Sequence, residues 1–236
     1  MITDTANIDI QPVVASRIEE VDFDKLTFGK HFSDHLFIME YDHGNWSTPK
    51  IMPFRELSFS PAMAAIHYGQ SVFEGMKAYK SEDGEIFLFR PEDNIRRLNI
   101  SAERMCMPEV PEDIFLEALK QLVLLDQDWI PTTLGHSLYI RPVLFGSEPL
   151  LGVRPADKYT FLIFTSPVGN YYSEPVKVLI ETEYSRAMKG GVGFAKAAGN
   201  YGAALYPSKL GKDKGYHQLL WTDAQDHKYF EESGTM

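Results

Sequence analysis

The chain of 236 residues contains a single cysteine, Cys106, and no long apolar run. One cysteine excludes an intramolecular disulfide framework and is consistent with a reducing compartment. No apolar stretch approaches the roughly 18 residues that a membrane helix requires. Residues 1–20 are polar and mixed in charge, without the apolar centre of a signal peptide. These absences predict a cytoplasmic protein with no membrane partner, and they leave an organellar location open.

Positive charge is also scarce. The 23 lysines and arginines are outnumbered by 33 acidic residues, which gives a net charge of -10. Because nucleic acid is a polyanion, we expect no unspecific nucleic-acid binding. The composition, 44% hydrophobic and 24% charged, is that of an ordinary globular protein. The length suffices for one large domain or two modest ones.

Several common binding motifs are incomplete. His31 and His35 are four residues apart, but no acid follows His31 as a zinc-protease motif requires. The glycines at 190, 191 and 193 lack the third glycine of a dinucleotide fingerprint, and no Gly-Lys pair completes a P-loop. No serine lies in a nucleophile elbow. Cys106 follows an apolar helix end, where we expect it to pack rather than react. The sequence therefore predicts no metal site.

The order of the predicted elements indicates an α+β fold. Apolar residues at helical spacing predict helices that begin at Pro91 and Pro111, since proline is favoured in a first helical turn. Residues 81–84, Ser-Glu-Asp-Gly, have the composition of a hairpin turn. The predicted strands are 35–41, 51–54, 76–79, 86–89, 138–145, 160–165, 176–181 and 217–221, and a third helix is predicted over 201–210. Strands and helices in separate blocks favour α+β over a doubly wound sheet.

A change in composition predicts two domains. Residues 168–175 are rich in glycine, tyrosine, serine and proline, which is typical of an interdomain connection. We therefore predict a smaller N-terminal α/β domain over 1–167 and the start of a larger domain over 176–236.

Three residues in the last part of the chain form a chemically coherent set. Lys196 lies among small residues, Tyr201 follows five positions later, and Glu232 lies on a later segment. A Schiff-base lysine must be held in a packed pocket, because only the neutral amine attacks a carbonyl. A pyridine cofactor also needs an acid against its ring nitrogen. Lys196 and Glu232 are candidates for these two roles, although an isolated lysine on such a loop is more often a surface residue.

Five sequence blocks resemble the branched-chain amino acid aminotransferases and occur in that family's order. They are residues 67–79, 137–144, 166–171, 196–202 and 232–236. The resemblance runs from about Asp34 to Met236. It implies a two-domain D-amino-acid-transaminase-like fold (fold type IV) that uses pyridoxal 5′-phosphate. Since members of the family continue well beyond the last block, the resemblance also implies that the second domain is incomplete in this chain.

The resemblance assigns roles to individual residues. Lys196 is the implied catalytic residue, Arg97 the phosphate-binding arginine and Tyr201 the donor to the phenolic oxygen of the cofactor. The implied cofactor-binding set is Lys196, Arg97, Tyr201, Glu232 and Thr235, and the implied substrate-binding set is Tyr68, Phe73, Tyr139, Arg141 and Tyr171. Aromatic walls suit a branched aliphatic side chain, and an arginine suits the distal carboxylate of glutamate.

Two of these assignments choose between adjacent residues that carry the same charge. Glu231 carries the same charge as Glu232, but alternation along a strand places it on the opposite face. Arg96 precedes Arg97, which lies nearer the flank of the apolar helical stripe. The position within the family's motifs places both roles on the second residue of each pair.

The implied activity is transamination of leucine, isoleucine or valine with 2-oxoglutarate, which yields branched 2-oxo acids and glutamate. Amino acids and 2-oxo acids are the expected ligands, and a homodimer is expected. Two alternatives stay open from the sequence: another enzyme of this fold, such as a D-amino-acid transaminase or an aminodeoxychorismate lyase, and an inactive fragment. The ranking of substrates and a biosynthetic or degradative role also stay open.

Overall fold

The computed structural model describes residues 7–172 and 174–234. Within these ranges nine strands form one large sheet. They are β1 Asp9–Ile10, β2 His35–Asp42, β3 Asn45–Trp46, β4 Lys50–Pro53, β5 Ser71–Phe73, β6 Met76–Lys80, β7 Ile86–Leu88, β8 Ser137–Gly146 and β9 Lys158–Val168. The order is β1-β4-β2-β9-β8-β6-β7, with β3 beside β2 and β5 beside β8. All pairs are antiparallel except β1 with β4.

Two long helices cover one face of this sheet. The helices of the described chain are α1 Ala64–Tyr68, α2 Pro91–Arg104, α3 Glu112–Leu125 and α4 Ala198–Asp213, with 3-10 turns at Ile18–Glu20, Phe23–Lys25 and Gln127–Trp129. Leu98 of α2 and Phe115 of α3 are fully buried in one core with Leu138 of β8 and Phe161 of β9. The helices predicted at Pro91 and Pro111 from apolar residues at helical spacing are therefore confirmed.

The predicted hairpin between β6 and β7 is also confirmed. Ser81 donates its backbone N–H to Glu85 O at 2.9 Å, and Gly84 donates to Ser81 O at 3.0 Å. Gly84 has φ of +85°, a conformation that glycine adopts at little cost. The turn composition and the strand pairing agree at this place.

A second, smaller sheet follows the large one in the chain. It contains β10 Val178–Glu181, β11 Gln218–Thr222 and β12 Phe230–Ser233. β10 and β11 are parallel, so that a crossover must connect them, and α4 lies in that crossover. The domain bounds predicted at 167 and 176 stay a prediction; β9 ends at Val168 and β10 begins at Val178.

Helix α4 begins at Ala198, three residues before its predicted start, and continues to Asp213 with Pro207 inside it. Glycine and proline lower helix propensity, which explains why the pattern predicted a shorter helix. Packing stabilises it instead. A Cβ atom on Gly211 would lie 2.9 Å from the side chain of Leu219, so the glycine permits close approach of α4 to β11.

Cys106 corrects one expectation. It was expected to pack at the end of a helix, but it is exposed. It lies two residues after Arg104, the last residue of α2, with φ of +53°, and this left-handed turn accompanies the outward position. In the part of the chain that the structure describes, no helix has both the length and the apolar character of a membrane span.

Candidate active site

A cavity of about 830 Å³ lies where the two sheets meet. The cavity is lined by residues of the large sheet, of the segment before α4 and of the end of β12. The residues used below are Phe28, Phe73, Gly75, Lys77, Arg97, Tyr139, Arg141, Tyr171, Arg186, Lys196, Tyr201, Glu232 and Ser233. Of the charged residues in this set, Glu232 alone is acidic, which makes the cavity suited to an anionic ligand.

The backbone of Lys196 is held by helix α2 on one side and by strand β5 on the other. Its backbone N–H donates to Ser101 Oγ of α2 at 2.9 Å, and Phe73 of β5 donates its backbone N–H to Lys196 O at 3.1 Å. Ala197 forms an isolated antiparallel bridge with Val72. The small residues Ala195 and Ala197 are buried, because a larger side chain would have no room between these partners. This packing fixes where the lysine side chain enters the cavity.

The amine of Lys196 is directed at a phenol. Lys196 Nζ donates to the hydroxyl of Tyr201 at 2.7 Å, and the amine also lies 4.9 Å from the centroid of the Phe73 ring. Asn200, which is buried, donates to Val192 O and Ala195 O and closes the turn that leads into α4. Lys196 lies two residues before α4 and Tyr201 in its first turns, so this turn holds the two side chains together.

Arg97 is oriented by a buried carboxylate. Its Nε donates to Glu74 Oε1 at 2.6 Å and its Nη2 donates to Glu74 Oε2 at 2.8 Å. Asn94 donates to the same carboxylate at 2.9 Å, and the Glu74 side chain has no exposed surface. The hydrogen bonds from Arg97 to Glu74 raise the pKa of the guanidinium above its usual value. The two-point contact leaves Nη1 of Arg97 able to bind an anion.

An aromatic wall with an arginine on it forms the opposite side of the cavity. Arg141 Nη2 donates to the hydroxyl of Tyr139 at 2.9 Å, and the guanidinium carbon lies 4.5 Å from the centroid of the Phe73 ring. Tyr139 and Arg141 are two residues apart on β8 and therefore share a face. A Cβ atom on Gly75 would clash with the Tyr139 hydroxyl, so this wall requires a glycine there.

Phe28 completes that wall. Its ring packs edge-on against Tyr139 at 5.0 Å and against Tyr171 at 5.4 Å between centroids. It comes from the N-terminal segment (residues 7–33), which precedes all five sequence blocks. Partial desolvation of the Tyr171 phenol raises its pKa.

Glu232 borders the cavity and forms an ion pair with Arg186 through its Oε1. Glu231 is not among the lining residues. Strict alternation does not hold here, because Leu220 pairs with Ser233 and Thr222 with Phe230. Glu231 and Glu232 together therefore face Trp221 across a β-bulge. The placement of Glu232 agrees with the expectation, whereas the alternation used to predict it does not apply.

Eight of the ten predicted site residues line the same cavity: Lys196, Arg97, Tyr201, Glu232, Phe73, Tyr139, Arg141 and Tyr171. Thr235 lies outside the described residues. Tyr68 is not brought to the cavity in a single chain, since it lies at the end of α1 with 42% of its surface exposed and its ring beside His67. The individual roles stay predictions.

Sequence reasoning missed three residues of the site. Glu74 lies inside a matched block, and its spacing from Arg97 carries no local signal. Phe28 and Arg186 lie outside the blocks, and they reach the cavity through the path of the N-terminal segment and the turn before Lys196. Nothing in their neighbourhood in the sequence separates them from ordinary aromatic or basic residues.

The chain is similar over most of its length to known proteins, although no protein-family model matches it. It is 50% identical over 223 residues to branched-chain-amino-acid transaminase 1 of Bacillus subtilis, covering 92% of this chain and 63% of that protein. It is 44% identical over 221 residues to the chloroplastic branched-chain-amino-acid aminotransferase 5 of Arabidopsis thaliana, covering 92% and 53%. The chain thus spans between half and two thirds of the length of these relatives.

Solved structures show the same fold. The branched-chain amino acid aminotransferase of Escherichia coli matches with a TM-score of 0.64 at 24% identity over 85% of this chain and 61% of that chain. The branched-chain amino acid aminotransferase of Thermobaculum terrenum, solved in its PLP-form, matches with a TM-score of 0.62 at 20% identity over 81% and 59%.

The described fold is that of these aminotransferase structures, of which the chain covers about 60%. Over the part of its relatives that it spans, the chain is similar in sequence to the branched-chain-amino-acid aminotransferases.

Proposed function

We propose that this protein binds pyridoxal 5′-phosphate and transfers the amino group of leucine, isoleucine or valine to 2-oxoglutarate. The observation that carries the proposal is the Lys196 amine 2.7 Å from the Tyr201 hydroxyl, in a cavity that also holds the guanidinium of Arg97 and the carboxylate of Glu232. Its relatives at about 50% identity are named as branched-chain-amino-acid transaminases.

The donor set of the cavity fits the proposed cofactor. The phosphate matches the arginine that Glu74 orients, the aldehyde matches the lysine, and the ring nitrogen matches the carboxylate of Glu232. The buried Ser233 Oγ lines the cavity and has no hydrogen-bond partner among the described residues. A ligand group that hydrogen bonds to this hydroxyl would remove the cost of leaving it unpaired.

When bound, pyridoxal 5′-phosphate supplies an aldehyde carbon and a ring that accepts electrons. The protein supplies binding and proton transfer. Lys196 Nζ is the base for the proton on the α-carbon of the amino acid, Tyr201 donates to the phenolic oxygen, and Glu232 holds the proton on the ring nitrogen. The aromatic wall excludes water from the reacting atoms.

The same wall supports the proposed substrates. Phe73, Tyr139 and Phe28 present apolar ring surface to a branched side chain, whose burial is favourable by about 25 cal/mol per Å². Arg141 lies among these rings and offers a cation to the second carboxylate of glutamate or 2-oxoglutarate. One site with both features can accept the two substrates in turn.

The test of the central lysine is chemical trapping. Borohydride reduction in the presence of pyridoxal 5′-phosphate should leave the adduct on Lys196, located by peptide mass spectrometry. Lys77 is the internal control, because it lines the same cavity. Lys77→Ala should keep the adduct and Lys196→Ala should lose it. An adduct on Lys77 in the unsubstituted protein would contradict the assignment.

A substrate panel tests the reaction itself. With 2-oxoglutarate as acceptor, L-leucine, L-isoleucine and L-valine should be faster substrates than D-alanine. Faster turnover of D-alanine would instead favour a D-amino-acid transaminase.

We also propose a homodimer in the cytoplasm. Ile66 and Tyr68 of α1 and Leu151 and Val153 of the loop before β9 are exposed. The bridge between Met63 and Pro149 brings these two segments together into one apolar surface. A second copy on this surface would cover it. Light scattering should give a dimer that Val153→Asp weakens; a monomer for the unsubstituted protein would contradict this proposal.

A further inference from the structure

Arg186 joins three parts of the cavity that are distant in sequence. Its Nε forms the ion pair with Glu232 Oε1 on β12. Its Nη1 donates to Gly193 O at 3.3 Å, and its guanidinium carbon lies 6.0 Å from the centroid of the Tyr201 ring. The arginine thus lies between the predicted partner of the ring nitrogen and the predicted partner of the phenolic oxygen.

Burial separates this ion pair from the ion pairs of the protein surface. The Arg186 side chain is 11% exposed, whereas the Arg154 side chain in its pair with Glu148 is 42% exposed. An arginine loses hydration when it is buried, and it retains its charge at every physiological pH. Arg186, the buried partner, is therefore fixed in position. Glu232, with 43% of its side chain exposed, is the partner whose orientation needs to be held.

A role for Arg186 in binding an anion fits the geometry less well. Its Nε is already committed to Glu232, the only acidic side chain among the described residues that line the cavity. Arg97, by contrast, has 53% of its side chain exposed and keeps Nη1 outside its two contacts with Glu74, whereas only 11% of the Arg186 side chain is exposed. The charge of Arg186 is thus directed at Glu232 and Tyr201, not at the open cavity.

We propose that Arg186 is a positioning residue that acts through Glu232: it engages Oε1 and so presents Oε2 to the ring nitrogen of the cofactor. This inference rests on the proposed function. Without Arg186, the exposed carboxylate would be free to turn toward water, and its contact with the ring would weaken. Because Arg186 is proposed to act at the ring nitrogen, its effect on ligand binding should be the same whether or not the ligand carries a phosphate.

The experiment measures binding of two probes, pyridoxal 5′-phosphate and pyridoxal, to the cofactor-free protein by absorbance titration. Arg186→Gln should weaken both probes by the same factor, about tenfold, the size of a lost hydrogen bond to a charged group. Glu232→Gln should do likewise, and the double variant should bind no more weakly than Glu232→Gln alone. Arg154→Gln, which removes a surface pair, should leave both affinities unchanged.

Three results would overturn the inference. The first is a loss confined to pyridoxal 5′-phosphate, which would make Arg186 a phosphate ligand. The second is additive losses in the double variant, which would make its role independent of Glu232. The third is unchanged affinity in Arg186→Gln.

Arg186→Lys covers the case in which Arg186→Gln does not fold. It keeps the charge and loses the planar fork, so its affinity for both probes should fall between those of the unsubstituted protein and Glu232→Gln. If Arg186→Lys unfolds at an unchanged temperature and binds the probes as weakly as Glu232→Gln, the positioning role is also supported. If Arg186→Lys binds them as tightly as the unsubstituted protein, the role is contradicted. If the unsubstituted protein binds neither probe, the proposed function fails and this inference fails with it.

Discussion

The two sheets differ in how completely each buries its own apolar surface. The large sheet and helices α2 and α3 share one extensive core in which Phe115, Leu98 and Phe161 are fully buried. Around the small sheet, Ile180 of β10, Leu205 of α4 and Phe230 of β12 remain exposed. The large region also leaves apolar side chains exposed, among them Ile66 and Val153, but among the described residues the extensive core belongs to it. The aromatic wall and Arg97 therefore lie on the region with the extensive core, whereas Lys196 precedes α4 and Glu232 lies in the small sheet.

This difference shows how the site divides its tasks. The residues proposed to hold the phosphate and the substrate come from the large region, and the residues proposed for proton transfer come from the other. The two meet through Lys196, whose backbone hydrogen bonds run to Ser101 and Phe73 of the large region. The reactive amine is thus fixed by the better-packed partner.

The largest expected effect concerns the core itself. Phe115→Ala should lower the free energy of unfolding by about 3 to 5 kcal/mol, because it removes a large buried side chain and leaves a cavity. Leu205→Ala, at a position that is 71% exposed, should change it by less than about 0.5 kcal/mol. Urea unfolding of the two variants measures both values. Equal effects would show that the two regions are buried alike in solution.

A smaller effect should follow from the support of Arg97. Glu74→Gln removes the negative charge that orients the guanidinium and should weaken pyridoxal 5′-phosphate binding by about tenfold or more. Binding of pyridoxal should change less, because Arg97 is proposed to contact the phosphate. Arg186→Gln, by contrast, should show no such selectivity, because it is expected to weaken both probes by the same factor.

Asp93→Asn is the matched control for Glu74→Gln. Asp93 pairs with Arg96 on the exposed side of the same helix. Exposed ion pairs contribute little, so binding of both probes should be unaffected. Weakening of the same size in both variants would mean that α2 as a whole, and not Arg97, was disturbed.

The smallest expected effect is a pH dependence in the N-terminal segment. Burial alone would raise the pKa of Asp34, but hydrogen bonds from the Arg17 N–H, the Ser16 hydroxyl and the Trp129 indole outweigh it and lower the pKa of this carboxyl. A carboxyl with a lowered folded-state pKa stabilises the fold above its unfolded-state pKa. That stabilisation is lost as the pH falls through the folded-state pKa.

Asp34→Asn should therefore be less stable than the unsubstituted protein near neutral pH, by an amount of the order of 1 kcal/mol, and the gap should narrow below about pH 4. Tryptophan fluorescence during urea unfolding can follow it, since Trp129 contacts Asp34. Asp83→Asn in the exposed β6–β7 turn is the control and should show no such gap. A gap that is constant with pH would refute the assignment to the Asp34 charge.

Much of the large region could be predicted from the sequence because its signals are local. Apolar residues repeat at helical spacing in α2 and α3, and the Ser-Glu-Asp-Gly turn joins β6 to β7. The small region was harder to predict. Helix α4 carries glycines and a proline that argue against a helix, and the bulge in β12 breaks the alternation on which the choice of Glu232 relied.

The sequence by itself determined which chemical groups form the site. Tyr201 follows Lys196 by five residues, and the five ordered blocks indicate the family. Only the tertiary structure decided which side chains orient them. Glu74 reaches Arg97 across 23 residues, and Arg186 reaches Glu232 from a different segment. Phe28 joins the aromatic wall from the N-terminal segment. Contacts between residues so far apart depend on how the sheets pack, and no periodicity along the chain encodes them.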